Sequence, residues 1–173
     1  MDVVIERAKE EDAEETRRVM LICFKCLIEK YQPELDSIAQ TSLARMMVLF
    51  KNHIFYNVFF KDKIIGGVHI VENLENNHYL DKIYILPEYQ NLGLGQRVLD
   101  FVEKDHPDAR LWTLLTGVDD AINNYFYLKN GYIKYGEYEK SQKLTLNQYK
   151  KEVEKMNSQL QIVYNFLSST EFK

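Results

Sequence analysis

Cysteine is scarce in this chain of 173 residues: Cys23 and Cys26 are its only two. They form a CxxC, but inside a helical pattern of Met20, Cys23, Phe24, Leu27 and Ile28. A redox CxxC follows a strand and opens a helix. A zinc site needs a second pair of ligands that this chain does not offer nearby. Both cysteines therefore read as small hydrophobes. Proline and glycine are also few, three and seven, which argues against long disorder. No apolar run approaches the roughly 18 residues that a membrane helix needs, so no membrane partner is expected. The opening MDVVIERAKEEDAEE is acidic and lacks a signal-peptide stretch, so the expected compartment is the cytoplasm. Blocks of one charge are missing as well. The balance of 22 basic and 26 acidic residues gives −4, and Arg17-Arg18 and Lys150-Lys151 are only pairs. Nucleic acid, whose binding rests on phosphate neutralisation, is not an expected partner. His53, His69, His78 and His106 are scattered without metal-ligand spacing, so no metal is expected.

What is present fits one globular domain with a core burying about two-thirds of the unfolded surface. Hydrophobic residues make up 46% and charged residues 28%, and twelve tyrosines can line a polar–apolar cleft. VVIERA at 3–8 reads as a strand. Acidic residues at 10–15 mark the start of a helix running to about Ile28. Pro33 opens a second helix, whose stripe is Leu35, Ile38, Leu43, Met46 and Leu49. Strands follow at 53–60, 64–71 and 79–86, and Gly66-Gly67 point to a bulge or a close backbone approach. Gly95–Asp105 is a helix and 110–116 a buried strand. A short helix capped by Asp119 or Asp120 stops at Gly131, and 132–138 is a further strand. This order gives an α+β layered domain.

The tail carries a different pattern. Leu146, Tyr149, Val153, Met156, Leu160, Val163 and Leu167 are spaced 3-4-3-4-3-4, with a capping box at Thr145 and Gln148. An amphipathic helix over 146–168 is the preferred reading, with KLTLNQY as a last strand the alternative. The domain would then span 1–145, and 146–173 would pack on it or on a second copy as a homodimer.

The chemistry concentrates in IYILPEYQNLGLGQR, 83–97. A strand passes through a short loop into a helix whose entry is glycine-rich. Free amides and the positive end of the helix dipole meet there, which makes an anion site. GxGxxG fails because the third position is Val98, and no GxxxxGK[ST] is present. Gln90, Gly93 and Gly95 form Q-x-x-G-x-G, which resembles the pyrophosphate loop of the GNAT superfamily of N-acetyltransferases. Phe126-Tyr127 with Gly131-Tyr132 resembles the FYxxxGF signature of the same family. The likeness covers about 3–138 and is strongest over 79–132. The chain departs from the family pattern at Asp120, where Asn is frequent, and in its C-terminal segment.

The resemblance implies a GNAT-like mixed, mainly antiparallel sheet flanked by helices. Acetyl-CoA would be the co-substrate, lying between the strands at 79–86 and 110–116. Its pantetheine would pair near Ile83, Tyr84 and Ile85. Its pyrophosphate would sit on the amides of Gln90, Asn91, Leu92, Gly93, Leu94, Gly95 and Gln96, with Arg97 as an added contact. Asp81, or else Glu72 or Glu75, would serve as base. Tyr127 would protonate the leaving thiolate, and an amide near Ile85 would meet the oxyanion. Tyr31, Gln32, Glu34 and Glu72 would wall an acceptor that is a primary amine of a small molecule, polyamine-like on account of the acidic candidates, or of a protein. The alternative is an acyl-CoA-binding regulatory module without turnover.

Overall fold

The computed structural model describes residues 1–31, 36–73 and 75–153. Its strands are β1 (Val4–Arg7), β2 (Ile54–Phe60), β3 (Lys63–Glu72), β4 (Asn77–Ile85), β5 (Leu111–Gly117), β6 (Ile133–Ser141) and β7 (Leu144–Glu152). Its helices are α1 (Ala13–Lys30), α2 (Asp36–Ala39), α3 (Leu43–Asn52), α4 (Leu94–Asp105) and α5 (Ala121–Lys129). The strands form one sheet in the order β1-β2-β3-β4-β5-β7-β6. Among the described residues only the β4–β5 pairing is parallel. Among the described residues no helix is long and apolar enough to cross a membrane.

The period-2 alternation of β2 sorts the helices into two layers. Phe55 stacks on Phe50 of α3 at 4.4 Å, while its neighbour Tyr56 meets Phe101 of α4 edge-on at 5.5 Å. Asn57 lies on the Phe55 side and accepts a bond from Thr16 of α1. Tyr149 and Lys151 share a face of β7. Tyr149 donates to Asn124 of α5, and Lys151 pairs with Glu103 of α4. So α1 and α3 cover one face, and α4 and α5 the other. The central strands are buried on both faces: β3 is buried continuously from Ile64 to Ile70.

Local chemistry explains most boundaries. The helix expected after Pro33 is broken in two, because the Ser42 side chain caps α3 by accepting from the Arg45 amide at 3.1 Å. Asp120, rather than Asp119, caps α5 through the Asn123 amide, and Gly131 follows with a φ of 81°. Both inner glycines of β3 mark a close approach. A Cβ on Gly66 would meet the Tyr84 carbonyl oxygen at 2.4 Å, and one on Gly67 the Tyr84 hydroxyl at 2.7 Å.

The tail departs from the preferred reading. Residues 144–152 form β7, inserted between β5 and β6, so the expected helix does not begin at 146 and a domain boundary at 145 would cut a strand. Pairing on both edges, from Leu111↔Glu152 to Gly117↔Leu146 on one side, outweighs the helical spacing. The remainder of the expected helix, and the homodimer contact assigned to it, lie outside the described residues.

Candidate active site

β4 and β5 begin side by side and then separate. Their pairing is limited to Asn77↔Leu111, His78↔Trp112 and Tyr79↔Thr113. A β-bulge in the β3–β4 ladder follows at once, between the pairs Ile70↔Leu80 and His69↔Lys82, and leaves Asp81 as the extra residue. Beyond it β4 stays bound to β3 alone. The Leu86 amide donates to the Ile65 carbonyl at 2.8 Å. Backbone groups alternate sides along an antiparallel ladder. Tyr84 therefore faces β3, while Ile83 and Ile85 turn their amides and carbonyls towards the gap. Consistent with this, the Ile85 carbonyl accepts from the Gln90 side chain at 2.9 Å. Of the three expected pairing residues, Ile83 turns its amide and carbonyl to the gap and Ile85 its amide, the Ile85 carbonyl being held by Gln90. Tyr84 contributes its buried ring, edge-on to Phe24, instead.

The loop after β4 delivers α4 to the mouth of this gap. Asn91 and Gly93 both have positive φ, 59° and 73°. Gly93 is the N-cap and supplies no side-chain cap. The first-turn amides of Leu94, Gly95 and Gln96 consequently have no intrahelical acceptor. A Cβ on Gly93 would meet nothing within 4 Å, so the space before these amides is open. On Gly95 it would only touch the Phe126 ring at 3.8 Å. Leu92 is exposed and Leu94 buried. Gln96 spends its side chain on Asp100 and Asn130. Arg97 turns away: its guanidinium donates to the Met1 carbonyl at 2.8 Å. The site therefore offers backbone amides and a helix dipole to an anion, without the guanidinium expected from the sequence. A pyrophosphate fits that donor set, and a pantetheine fits the free edge of β4.

Tyr127 of α5 is buried beside Tyr132 and Tyr149, with ring centroids 5.6 and 6.2 Å away. Its hydroxyl has no hydrogen-bond partner among the described residues. Burial, together with Asp120 and Tyr79, raises its pKa and keeps the phenol protonated. Tyr79, whose charge acts on Tyr127, stands at the last β4–β5 register pair.

Asp81 is not a free carboxylate. It accepts from His69 Nδ1 at 2.7 Å and pairs with the Lys82 ammonium. Burial works to raise its pKa, but these two partners hold it well below the usual carboxylate range. On the same face a cavity of about 250 Å³ is lined by Ile38, Thr41, Arg45, His53, His69, Asp81 and Lys82 among others. Of the expected acceptor walls, Tyr31 and Glu72 do not line this cavity. Tyr31 is buried and donates to Asp119, tying the end of α1 to the β5–α5 loop. Glu72 alternates with Val71, which lines the cavity, and its charge acts on His106 on the opposite face. Glu75 is exposed and receives a bond from Asn77. Gln32 and Glu34 lie outside the described residues.

His53 and His69, scattered in the sequence, come together in space. The turn at Lys61-Asp62 alone would set Ile54 opposite His69 and leave His53 on the other face. The β-bulge between Val58 and Phe59 shifts the register by one and sets Phe55 opposite His69, so His53 lies on the same face beside it.

The comparisons agree with this geometry. Residues 51–134 match the family model of an acetyltransferase (GNAT) domain. No curated protein sequence matches the chain. Among solved structures, the chain is similar to the PaiA N-acetyltransferase of Thermoplasma acidophilum in complex with coenzyme A. The TM-score is 0.74 at 20% identity, covering 88% of this chain and 100% of that one. A GNAT-family acetyltransferase from Streptococcus pneumoniae gives 0.68 at 20% identity, over 88% and 100%. One from Elizabethkingia anophelis with acetyl-CoA bound gives 0.65 at 14% identity, over 87% and 98%. The separating strands, the Gln90–Gly95 loop and the segment that matches a GNAT acetyltransferase domain all meet at one site, and the chain has the fold of these acetyltransferases.

Proposed function

We propose that the chain transfers the acetyl group of acetyl-CoA directly to a primary amine, with both substrates bound at once. The observation that carries this is the β4–β5 gap. There β4 turns the Ile83 backbone and the Ile85 amide to its open side, and the loop that follows carries the open amides after Gly93. The loop amides would hold the pyrophosphate, and Ile83 and Ile85 the pantetheine. An Ile85 amide would meet the charge developing on the thioester oxygen, as an oxyanion hole does. Tyr127, kept protonated by burial, would supply the proton that the departing thiolate takes. Asp81 enters this site as a fixed negative charge. A base works best with a pKa near the working pH, and Asp81 is held far below that.

The acceptor is read as a small-molecule amine, with a polyamine or a protein amine as further arms of the same test. Calorimetry with acetyl-CoA and a thiol-release assay across amino acids, polyamines and peptide N-termini decide it. Micromolar binding with release on one amine class is the expected result. Binding without release on any amine would instead mark a regulatory acyl-CoA-binding module.

A further inference from the structure

Outside the coenzyme gap, the described residues hold one linear array of titratable side chains on the wall of a cavity. Asp81 Oδ2 lies 2.7 Å from His69 Nδ1, and His69 Nε2 lies 2.7 Å from His53 Nδ1. The two imidazoles are near coplanar, at 21°, with centroids 4.9 Å apart. That is the edge-to-edge geometry of an in-plane N–H···N bond. Phe55 stacks on His69 at 4.2 Å and 8°, which fixes its ring. His69 is 4% exposed, so its neutral form is favoured. These contacts assign the protons. His69 donates from Nδ1 to the carboxylate, so its Nε2 must accept. His53 therefore donates from Nδ1, and its Nε2 keeps a lone pair that the array does not use. The array cannot converge on a metal, because its ring nitrogens point at one another, and no metal-holding cluster occurs among the described residues.

We propose that the cavity between α1, α3 and the sheet is the acceptor pocket of this acetyltransferase, and that His53 is its proton acceptor, with His69 and Asp81 as positioning residues. The inference rests on the acetyl-transfer reading above. The cavity borders the gap, since Asp81 and Lys82 line it and immediately precede Ile83. Among the described residues, the charged groups facing His53 and His69 are Asp81 and Lys82 from β4 and Arg45 from α3. From α1 the lining residue is the uncharged Met20, and from the segment before α3 it is Thr41, whose carbonyl holds Arg17. Arg45 and Lys82 disfavour a bound ammonium and so ease its deprotonation. In the step, the substrate ammonium gives one proton to His53 Nε2, and the imidazolium that forms is stabilised through His69 by Asp81. The freed nitrogen lone pair forms the C–N bond and the C–S bond breaks. The thiolate takes the Tyr127 proton, and the nitrogen's surplus proton restores the phenol. One proton is released to water from His53.

The test is a pH–rate series on the parent, His53→Gln and Asp81→Asn, with acetyl-CoA affinity as the control for folding. His53→Gln should lower kcat/KM for the amine by roughly 100-fold or more near neutral pH, in the range for lost base catalysis. It should also lose the acid limb of the profile, recover as the amine deprotonates unaided at high pH, and leave acetyl-CoA affinity unchanged. Imidazole added to His53→Gly should restore part of the rate. Asp81→Asn should keep the acid limb but move it to lower pH, because the charge stabilising the imidazolium is gone. Parental rate and profile in a folded His53→Gln protein would overturn the proposal and leave acetyl transfer intact. If no amine is acetylated at all, long-range ¹H–¹⁵N spectra still decide the assignment. An Nδ1–H tautomer at both His53 and His69 supports it, and an Nε2–H tautomer at His53 overturns it.

Discussion

Gly93 allows the anion loop to be tested with strain and obstruction separated. Its φ of 73° and ψ of 8° are left-handed, and a Cβ there would meet nothing within 4 Å. The folded protein thus charges Gly93→Ala only the backbone penalty, about 1–2 kcal/mol. For a chain of this size that is a fall of roughly 2–8 °C in Tm. Asn tolerates the left-handed region, so Gly93→Asn should stay close to the parent in stability. Gly93→Val adds a β-branched side chain and should be the least stable of the three. Coenzyme affinity should follow a different order. Any side chain at 93 intrudes on the space before the amides of Leu94–Gln96. All three variants should therefore lose at least tenfold in acetyl-CoA affinity, about 1.4 kcal/mol or more. Thermal melts and calorimetry on the same samples give both orders. Parental affinity in Gly93→Asn would show that no ligand group occupies that space, and the loop assignment would fall.

Tyr127→Phe keeps the ring against Tyr132 and Tyr149 but removes the donor. Steady-state assays should show kcat down roughly ten- to a thousandfold, with acetyl-CoA affinity unchanged and no recovery at high pH. Gly66→Ala drives a Cβ to 2.4 Å from the Tyr84 carbonyl. Urea unfolding should show a loss of about 1–3 kcal/mol, as for overpacking, and parental stability would mean that β3 and β4 can part without cost. Burial lowers the pKa of His69 and of His106, so the unfolded chain binds their protons more readily. Stability should be full above the free-imidazole value of about 6.5 and decline as pH falls below it. A urea midpoint equal at pH 7.5 and 5.5 would contradict that.

The fold's middle was legible because local chemistry and tertiary position agree there. The 3.6-residue spacing of Leu94, Val98 and Val102 is the buried stripe of α4, and the paired glycines of β3 are a real close approach. The tail misled because its 3-4 spacing is a local signal, whereas β7 is fixed by strands far away in sequence. At the site, glycine positions betrayed the loop, since backbone conformation dictates residue type. Side-chain destinations were illegible. Nothing local tells that Arg97 reaches back to Met1, or that Asp81 is already engaged by His69 and Lys82.

The short β4–β5 contact also divides the sheet mechanically. Four strands on one side and three on the other share a seam of three rungs, and the chain's single tryptophan, Trp112, is built into the middle one. That indole is 0% exposed, rests on His78 at 4.7 Å, and has no hydrogen-bond partner for its N–H among the described residues. Loosening along the seam would wet this one fluorophore before the hairpins on either side were disturbed. A ligand bridging β4 to the other half would act as a rivet, adding about 2.7 kcal/mol at a hundredfold excess over Kd. The protein thus carries an intrinsic optical gauge of how firmly its two half-sheets are held together.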